Sequence, residues 1–204
     1  MIGATTRELT TREFRGRPAR VLVATRTYDT TQQDLWDALT NPERIPRWFL
    51  PVDGDLRLGG RYQLKGNAGG EIVACDSPRH LSLTWEMQGQ VSWVIVDLSP
   101  SQPGGTQLRL EHIAHVPDDL WDQFGPGAVG VGWDSALLGL DRHVAGDRTL
   151  DPKTAMAWLM SDEGKAFVRE SSDAWCLASI ADGTNAVSAR AAAERTRAAY
   201  TGEA

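Results

Sequence analysis

The sequence predicts an α+β fold: one strand, two short helices, an antiparallel meander of about six strands, then a long helix. Three observations carry this. From Leu56 to His112 apolar residues alternate with period two, the mark of strands with one buried face. The links between these segments are short, so successive strands pair antiparallel, because a parallel crossover needs a dozen residues or more. After the strands, Ala128 to Val144 carries Val129, Trp133, Leu137, Leu140 and Val144 at helical spacing, one continuous apolar stripe.

The elements follow in order. Residues 1–19 are polar with mixed charge, and read as a loose tail or a short hairpin turning at Gly16-Arg17-Pro18. Ala19 to Tyr28 is rich in β-branched residues and reads as a strand. Asp29, Thr30 or Thr31 can cap the helix that follows, which places Leu35, Trp36 and Leu39 on one stripe. Asn41-Pro42 starts a second short helix ending near Trp48, with Pro46 limiting its length.

The meander strands are Arg61–Lys65, Glu71–Cys75, Leu81–Glu86, Val91–Leu98 and Gln107–Ile113, separated by Gly-, Pro- and Asn-rich turns. Alternation puts Leu81, Leu83 and Trp85 on one face, and likewise Val94, Val96 and Leu98, Leu108, Leu110 and His112, and Tyr62 and Leu64. A sheet with one apolar face must cover it, and the long helix, stopped at Gly146, is the cover. Beyond it, Pro152–Met160, Asp162–Ile180 and Asn185–Tyr200 read as further helices. The domain plan is therefore a tail or hairpin over 1–19, a core domain over 20–146, and an accessory helical extension over 147–204. The extension packs on that domain or on a partner chain, which makes a homodimer through the C-terminal helices one possible assembly.

Composition narrows the function. The chain is 204 residues long, 41% hydrophobic and 24% charged, ordinary for a globular protein. Lys and Arg number 21 against 27 Asp and Glu, a net charge of −6. Such a chain does not neutralise phosphates, so nucleic acid is not the expected partner. No apolar run reaches the roughly 20 residues of a membrane span, and the N-terminus has no apolar core of a secretory signal. Cys75 and Cys176 form no CxxC, and read as free thiols of a cytoplasmic protein, with one disulfide as the alternative. Eight Trp stand against three Tyr and four Phe, which suits either an aromatic-lined cavity or a Trp-rich core.

Eight words in order carry a resemblance: Arg26–Asp29 (RTYD), Leu35–Pro42 (LWDALTNP), Arg47–Phe49 (RWF), Gly59–Tyr62 (GGRY), Gly70–Ile72 (GEI), Leu83–Glu86 (LTWE), Thr106–His112 (TQLRLEH) and Gly132–Leu140 (GWDSALLGL). They span residues 20–146, and together the chain resembles the SRPBCC superfamily, the START-like helix-grip fold. The branch is similar to the activator of heat-shock protein 90 ATPase homologues. The resemblance implies a curved sheet of six to seven strands gripping the long helix, with a hydrophobic cavity between them. Members of the superfamily bind lipids, hormones or polyketides, and some catalyse cyclisation or hydrolysis. Co-chaperone activity belongs to members with an additional client-binding domain, which this sequence lacks. Fold alone does not choose among these.

The chemistry-bearing patterns are few. Gly125–Gly130 (GPGAVG) matches a dinucleotide pattern but follows PDDLWDQF, not a strand, so a glycine-rich loop before the helix is the better reading. That loop is placed as a cavity lid, with Trp121 and Phe124 as its apolar contacts. His112 and His115 are three apart on a strand, which sends them to opposite faces and disfavours a metal pair. His112 shares the face of Leu108 and Leu110. It is either a ligand-orienting or acid–base imidazole in the cavity, or a hydrogen-bonded core histidine. Glu86 and Glu111 fall on the opposite face, and Glu111 is expected in solvent. Trp93 is also placed on that outer face, under the C-terminal helices or a partner chain. No nucleophilic elbow surrounds Ser135.

The expected ligand-contacting set is Trp48, Phe49, Tyr62, Trp85, His112, Trp121, Phe124, Trp133 and Leu137. The expected function is binding of a small apolar or aromatic molecule, with no cofactor or metal and no catalytic set. The alternatives are a cyclase or hydrolase using His112, and a co-chaperone-like or dimeric interaction module.

Overall fold

A ten-residue strand with almost no apolar residues opens the chain. In the computed structural model, which describes residues 4–147 and 152–202, β1 (Thr5–Phe14) pairs antiparallel along its whole length with β2 (Arg17–Tyr28). Arg15 and Gly16 join them, both with positive φ, as the two-residue turn matched to strand twist requires. β2 leads into α1 (Gln32–Thr40), capped by the Thr31 hydroxyl accepting from the Asp34 N–H. The second short helix shrinks to the single 3-10 turn Ile45–Arg47, because Pro46 removes a donor.

β3 (Val52–Gly54), β4 (Arg61–Leu64), β5 (Gly69–Asp76), β6 (His80–Met87), β7 (Gln90–Ser101) and β8 (Gly105–Ala114) complete one antiparallel sheet in the order β1-β2-β8-β7-β6-β5-β4-β3. The strand count is eight rather than six to seven. The additions are the full-length β1 and the three-residue β3. β1 is a polar edge strand held by its backbone ladder, so no apolar alternation marks it.

One face of the sheet carries Leu22, Ala24, Val94, Val96, Leu98, Leu108 and Leu110 into the main core, against Leu137 and Leu140 of α3 (Gly127–Val144). Tyr28, fully buried, donates its hydroxyl to the Leu137 carbonyl at 3.2 Å and ties strand to helix. The helix stops at Gly146, whose φ of +79° only glycine adopts freely. The expected stripe on this helix is corrected at one end. Val129 is exposed, and Gly130, Val131, Asp134 and Leu138 are buried instead. The cause is a second buried side facing α5 (Asp162–Ala181).

The outer face of the sheet is not plainly solvated either. Ala19, Val21, Val23, Trp93 and Ile113 form a second cluster with Phe14 and Ile95. Trp93 lies on that face as expected, but its cover is local. The tilted Phe14 ring lies at 4.9 Å, the Arg15 guanidinium at 5.1 Å and the edge-on His115 ring at 5.4 Å. Glu111, expected in solvent, is buried between Arg12 at 2.7 Å and Arg109. The N-terminal hairpin accounts for both corrections, since it brings Phe14, Arg15 and Arg12 onto this face.

After α3 come α4 (Pro152–Leu159), α5 and α6 (Ala186–Thr201), the last capped by Asn185 accepting from the N–H groups of Val187 and Ser188. α5 is joined to the body by a buried polar knot. The Asp134 carboxylate accepts from Arg7 Nε at 3.0 Å, from Trp175 Nε1 at 3.1 Å and from the Ser171 hydroxyl. Gly130 lies beneath the Trp175 indole, where a Cβ would stand 2.4 Å from the ring. α6 packs on α5 and on α2 (Asp118–Phe124).

Candidate ligand-binding cavity

Between the inner sheet face and α3 lies a cavity of about 330 Å³. That is within the roughly 300–1,000 Å³ of small-molecule pockets, near the lower end. β6, β7 and β8 supply its floor through Leu83, Trp85, Val94, Val96, Leu108 and Leu110, and α3 supplies one wall through Trp133, Ala136, Leu137 and Leu140. Trp36 and Leu39 of α1, then Ile45, Trp48 and Phe49, roof it, and Leu56 and Arg57 border it from the loop after β3.

The space stays open for identifiable reasons. Gly139 lets the Trp48 backbone approach α3 so closely that a Cβ would sit 2.5 Å from the Trp48 carbonyl oxygen. Trp48 is then fixed by donating its indole N–H to the Ala38 carbonyl at 2.9 Å and by stacking on Phe49 at 5.4 Å. Trp85 and Trp133 lean on each other at 5.0 Å. Ala136 between them and Leu140 is too small to fill the gap. The stiff indoles of Trp48 and Trp133, each held by a hydrogen bond, do not collapse inward as flexible aliphatic chains do.

Six of the nine residues expected to contact a ligand line this cavity: Trp48, Phe49, Tyr62, Trp85, Trp133 and Leu137. His112 stands behind it. Trp133 Nε1 donates to His112 Nδ1 at 2.9 Å, and His112 Nε2 lies 2.9 Å from the Ser92 hydroxyl. With Nδ1 accepting, the proton belongs on Nε2, which donates to Ser92. Ser92 in turn donates to the Trp85 carbonyl at 3.1 Å. Burial, leaving the ring 5% exposed, lowers the His112 pKa to about 4, so the imidazole is neutral near pH 7. Both ring nitrogens are thus engaged, Nδ1 by the Trp133 indole and Nε2 by Ser92.

Trp121 and Phe124 are placed elsewhere, and the lid expectation is corrected. The turn after α2 is fastened to α6. The Thr196 hydroxyl donates to the Phe124 carbonyl at 2.8 Å, and Arg195 donates to the carbonyls of Gln123 at 2.6 Å and Asp122 at 2.9 Å. Gly127 sits against Thr196 and Gly130 against Trp175, so these glycines serve close helix packing. Trp121 and Phe124 border only a gap of about 30 Å³ between that turn, α5 and α6. His115 faces away from His112, toward the Pro18 carbonyl at 3.0 Å.

The cavity's polar groups are mostly committed. Tyr62 donates its hydroxyl to the Thr84 carbonyl at 2.7 Å, and burial raises its pKa. Thr40 donates to the Trp36 carbonyl at 2.8 Å. Among the described residues no carboxylate lines the space. Sequence reasoning missed the roof residues Trp36, Leu39 and Ile45, although Trp36 and Leu39 lie on the stripe read for α1. It also missed Ala136, which lies at helical spacing from Trp133 and Leu140, and Arg57, for which no periodic signal exists.

Residues 29–145 match the family described as activator of Hsp90 ATPase homolog 1-like protein. The crystal structure of CalU16 from Micromonospora echinospora is similar at 35% identity, covering 86% of this chain and 98% of that one, with a TM-score of 0.70. The solution NMR structure of CalU16 is similar at 34% identity, covering 88% and 97%, with a TM-score of 0.74. The crystal structure of MLL2253 from Mesorhizobium loti is 27% identical, covering 62% of this chain and 97% of that one, with a TM-score of 0.55. The likeness to CalU16 therefore extends beyond residues 29–145. No curated protein matches the chain.

Proposed function

The chain belongs to the activator of Hsp90 ATPase homolog 1-like family, and from there we propose that it is a small-molecule-binding protein of the helix-grip class. It takes a compact apolar or aromatic ligand between the sheet and α3. The observation that carries this reading is the cavity of about 330 Å³, walled by Trp36, Trp48, Phe49, Tyr62, Trp85 and Trp133. Such a surface gains by stacking and by removal of apolar area from water, about 25 cal/mol per Å². Binding without chemistry is favoured over cyclase or hydrolase action by the state of His112. Its two nitrogens are engaged and its basicity is low, so it offers neither a lone pair nor a proton to a ligand.

The test uses the fluorescent neutral probe N-phenyl-1-naphthylamine. Its emission should rise on titration with the protein, and Ala136→Phe should abolish the rise while leaving the circular dichroism unchanged. At 100 times the dissociation constant a ligand stabilises by about 2.7 kcal/mol. For a chain of this size that is about 5–11 °C in Tm. A folded protein that shows neither enhancement nor shift would sink the proposal.

A further inference from the structure

We propose that the ligand is a compact aromatic carboxylic acid, its rings in the cavity and its carboxylate held at the mouth by Arg57. This rests on the binding reading above and names the ligand class. Among the described residues Arg57 is the only charged one lining the cavity, and it is mostly exposed, so it stands where the cavity meets solvent. The donors of Trp48, Tyr62, Trp133 and Thr40 are already used, and among the described residues no carboxylate borders the space. A ligand cation therefore finds no counter-charge there, whereas an anion finds one guanidinium.

The position of Arg57 is fixed by its backbone. The Gly60 N–H donates to the Arg57 carbonyl at 2.8 Å, closing a turn, and Gly59 and Gly60 anchor that turn on Ile72 through bonds of 2.8 and 3.0 Å. Gly60 is obligatory, since a Cβ there would stand 2.1 Å from the Asp55 carbonyl oxygen. Within the turn, Arg57 spends only Nε, donating to Asp55 at 2.7 Å. This pair is solvated, with side chains 80% and 49% exposed, and pairs of that kind contribute little. The two terminal nitrogens remain as a fork suited to one carboxylate. A single fork beside Asp55, on a chain of net charge −6, suits a monoanion better than a phosphate, which calls for several cations. The aromatic walls favour rings over an alkyl tail.

The experiment is displacement of N-phenyl-1-naphthylamine by 1-naphthaleneacetate, by its methyl ester and by dodecanoate. The acid should compete at least tenfold better than the ester, and added salt should erode the difference. Arg57→Gln should bring the acid to the level of the ester and leave the ester unchanged. Asp55→Asn should strengthen the acid alone. Equal competition by acid and ester, or an Arg57→Gln variant that keeps their ratio, overturns the carboxylate assignment while the probe's own binding leaves the cavity reading intact. Dodecanoate outcompeting naphthaleneacetate overturns the aromatic class. A probe that never binds defeats both readings at once.

Discussion

His112 shows how sequence can place a residue while leaving its role open: of the two roles read for it, the structure has the hydrogen-bonded core histidine rather than a ligand contact. Its alternation with Leu108 and Leu110 put it on the inner face, where it is, but its partners Trp133 and Ser92 come from α3 and β7. No local pattern announces them. The pH consequence has a definite sign. The folded pKa, about 4, lies below the ordinary value of 6.5, so below pH 6.5 the unfolded chain takes up a proton that the native state refuses. The histidine's contribution is complete above pH 6.5 and is lost as pH falls to about 4, on the order of 3 kcal/mol. His112→Phe should flatten that limb of a denaturant-melt series between pH 4 and 7. It should also lower stability at pH 7 by about 1–3 kcal/mol, because the Trp133 N–H loses its acceptor. An unchanged slope refutes the assignment. Gly130 makes a simpler case. With a Cβ 2.4 Å from the Trp175 ring, Gly130→Ala should cost about 1–3 kcal/mol by overpacking. An equal or higher midpoint in urea would refute it, and better helix propensity would then have won.

At the scale of elements, the N-terminal hairpin and α5 are the parts whose importance pattern reading undervalued. β1 sends Arg7 into the α3–α5 interface and Arg12 over the outer face. Burial acts to raise the pKa of Glu111, but hydrogen bonds from Arg109 and Arg12 outweigh it and hold the group below its ordinary value. That contribution is present above the unfolded carboxylate pKa and is lost as pH falls through the folded one. Removing residues 1–16 would strip the buried Asp134 of Arg7, and would leave Glu111 with Arg109 alone. Leaving a buried charge unpaired costs about 3–5 kcal/mol. Truncation should therefore lower the midpoint sharply, and a truncated chain melting at the full-length temperature contradicts this. Trp175 and Ala178 belong to the main core. Deleting residues 148–204 is accordingly expected to unfold the remainder, as read by loss of near-ultraviolet circular dichroism. A native spectrum in the deleted chain would instead make the extension a separable module.

For the whole molecule, the physical question is why a core of this size keeps an unfilled space. The space is lined on one side by β4 to β8 and on the other by α3 and the residues around Trp48. Trp48 and Trp133, each held by an indole hydrogen bond, border it without filling it. Binding should make the melting temperature depend on ligand concentration, rising without a plateau once the site is saturated. An aromatic acid and its ester should give parallel curves offset by their affinity ratio. A curve that flattens just above stoichiometry with a tight ligand would contradict single-site binding.

Several things were legible in the chain alone, because they depend on local chemistry. The period-two strands, their short turns, the stripe of Leu137 and Leu140 and the stop at Gly146 all follow from neighbours in sequence. So did the inner placement of Tyr62, Trp85 and Trp133, and the family words between residues 20 and 146. What only the tertiary structure decided depends on residues far apart in the chain. It decided that β1 is a full strand, since a polar edge is held by its partner's backbone rather than by burial. It moved Phe124 from a lid to a turn fastened on α6 by Thr196, and Trp121 into the main core beneath Arg20. It turned His112 into a brace for the Trp133 indole and, through Ser92, for the Trp85 backbone. Above all it distinguished a cavity from a packed core, because the same inward side chains serve either, and only the distance between two surfaces separates them.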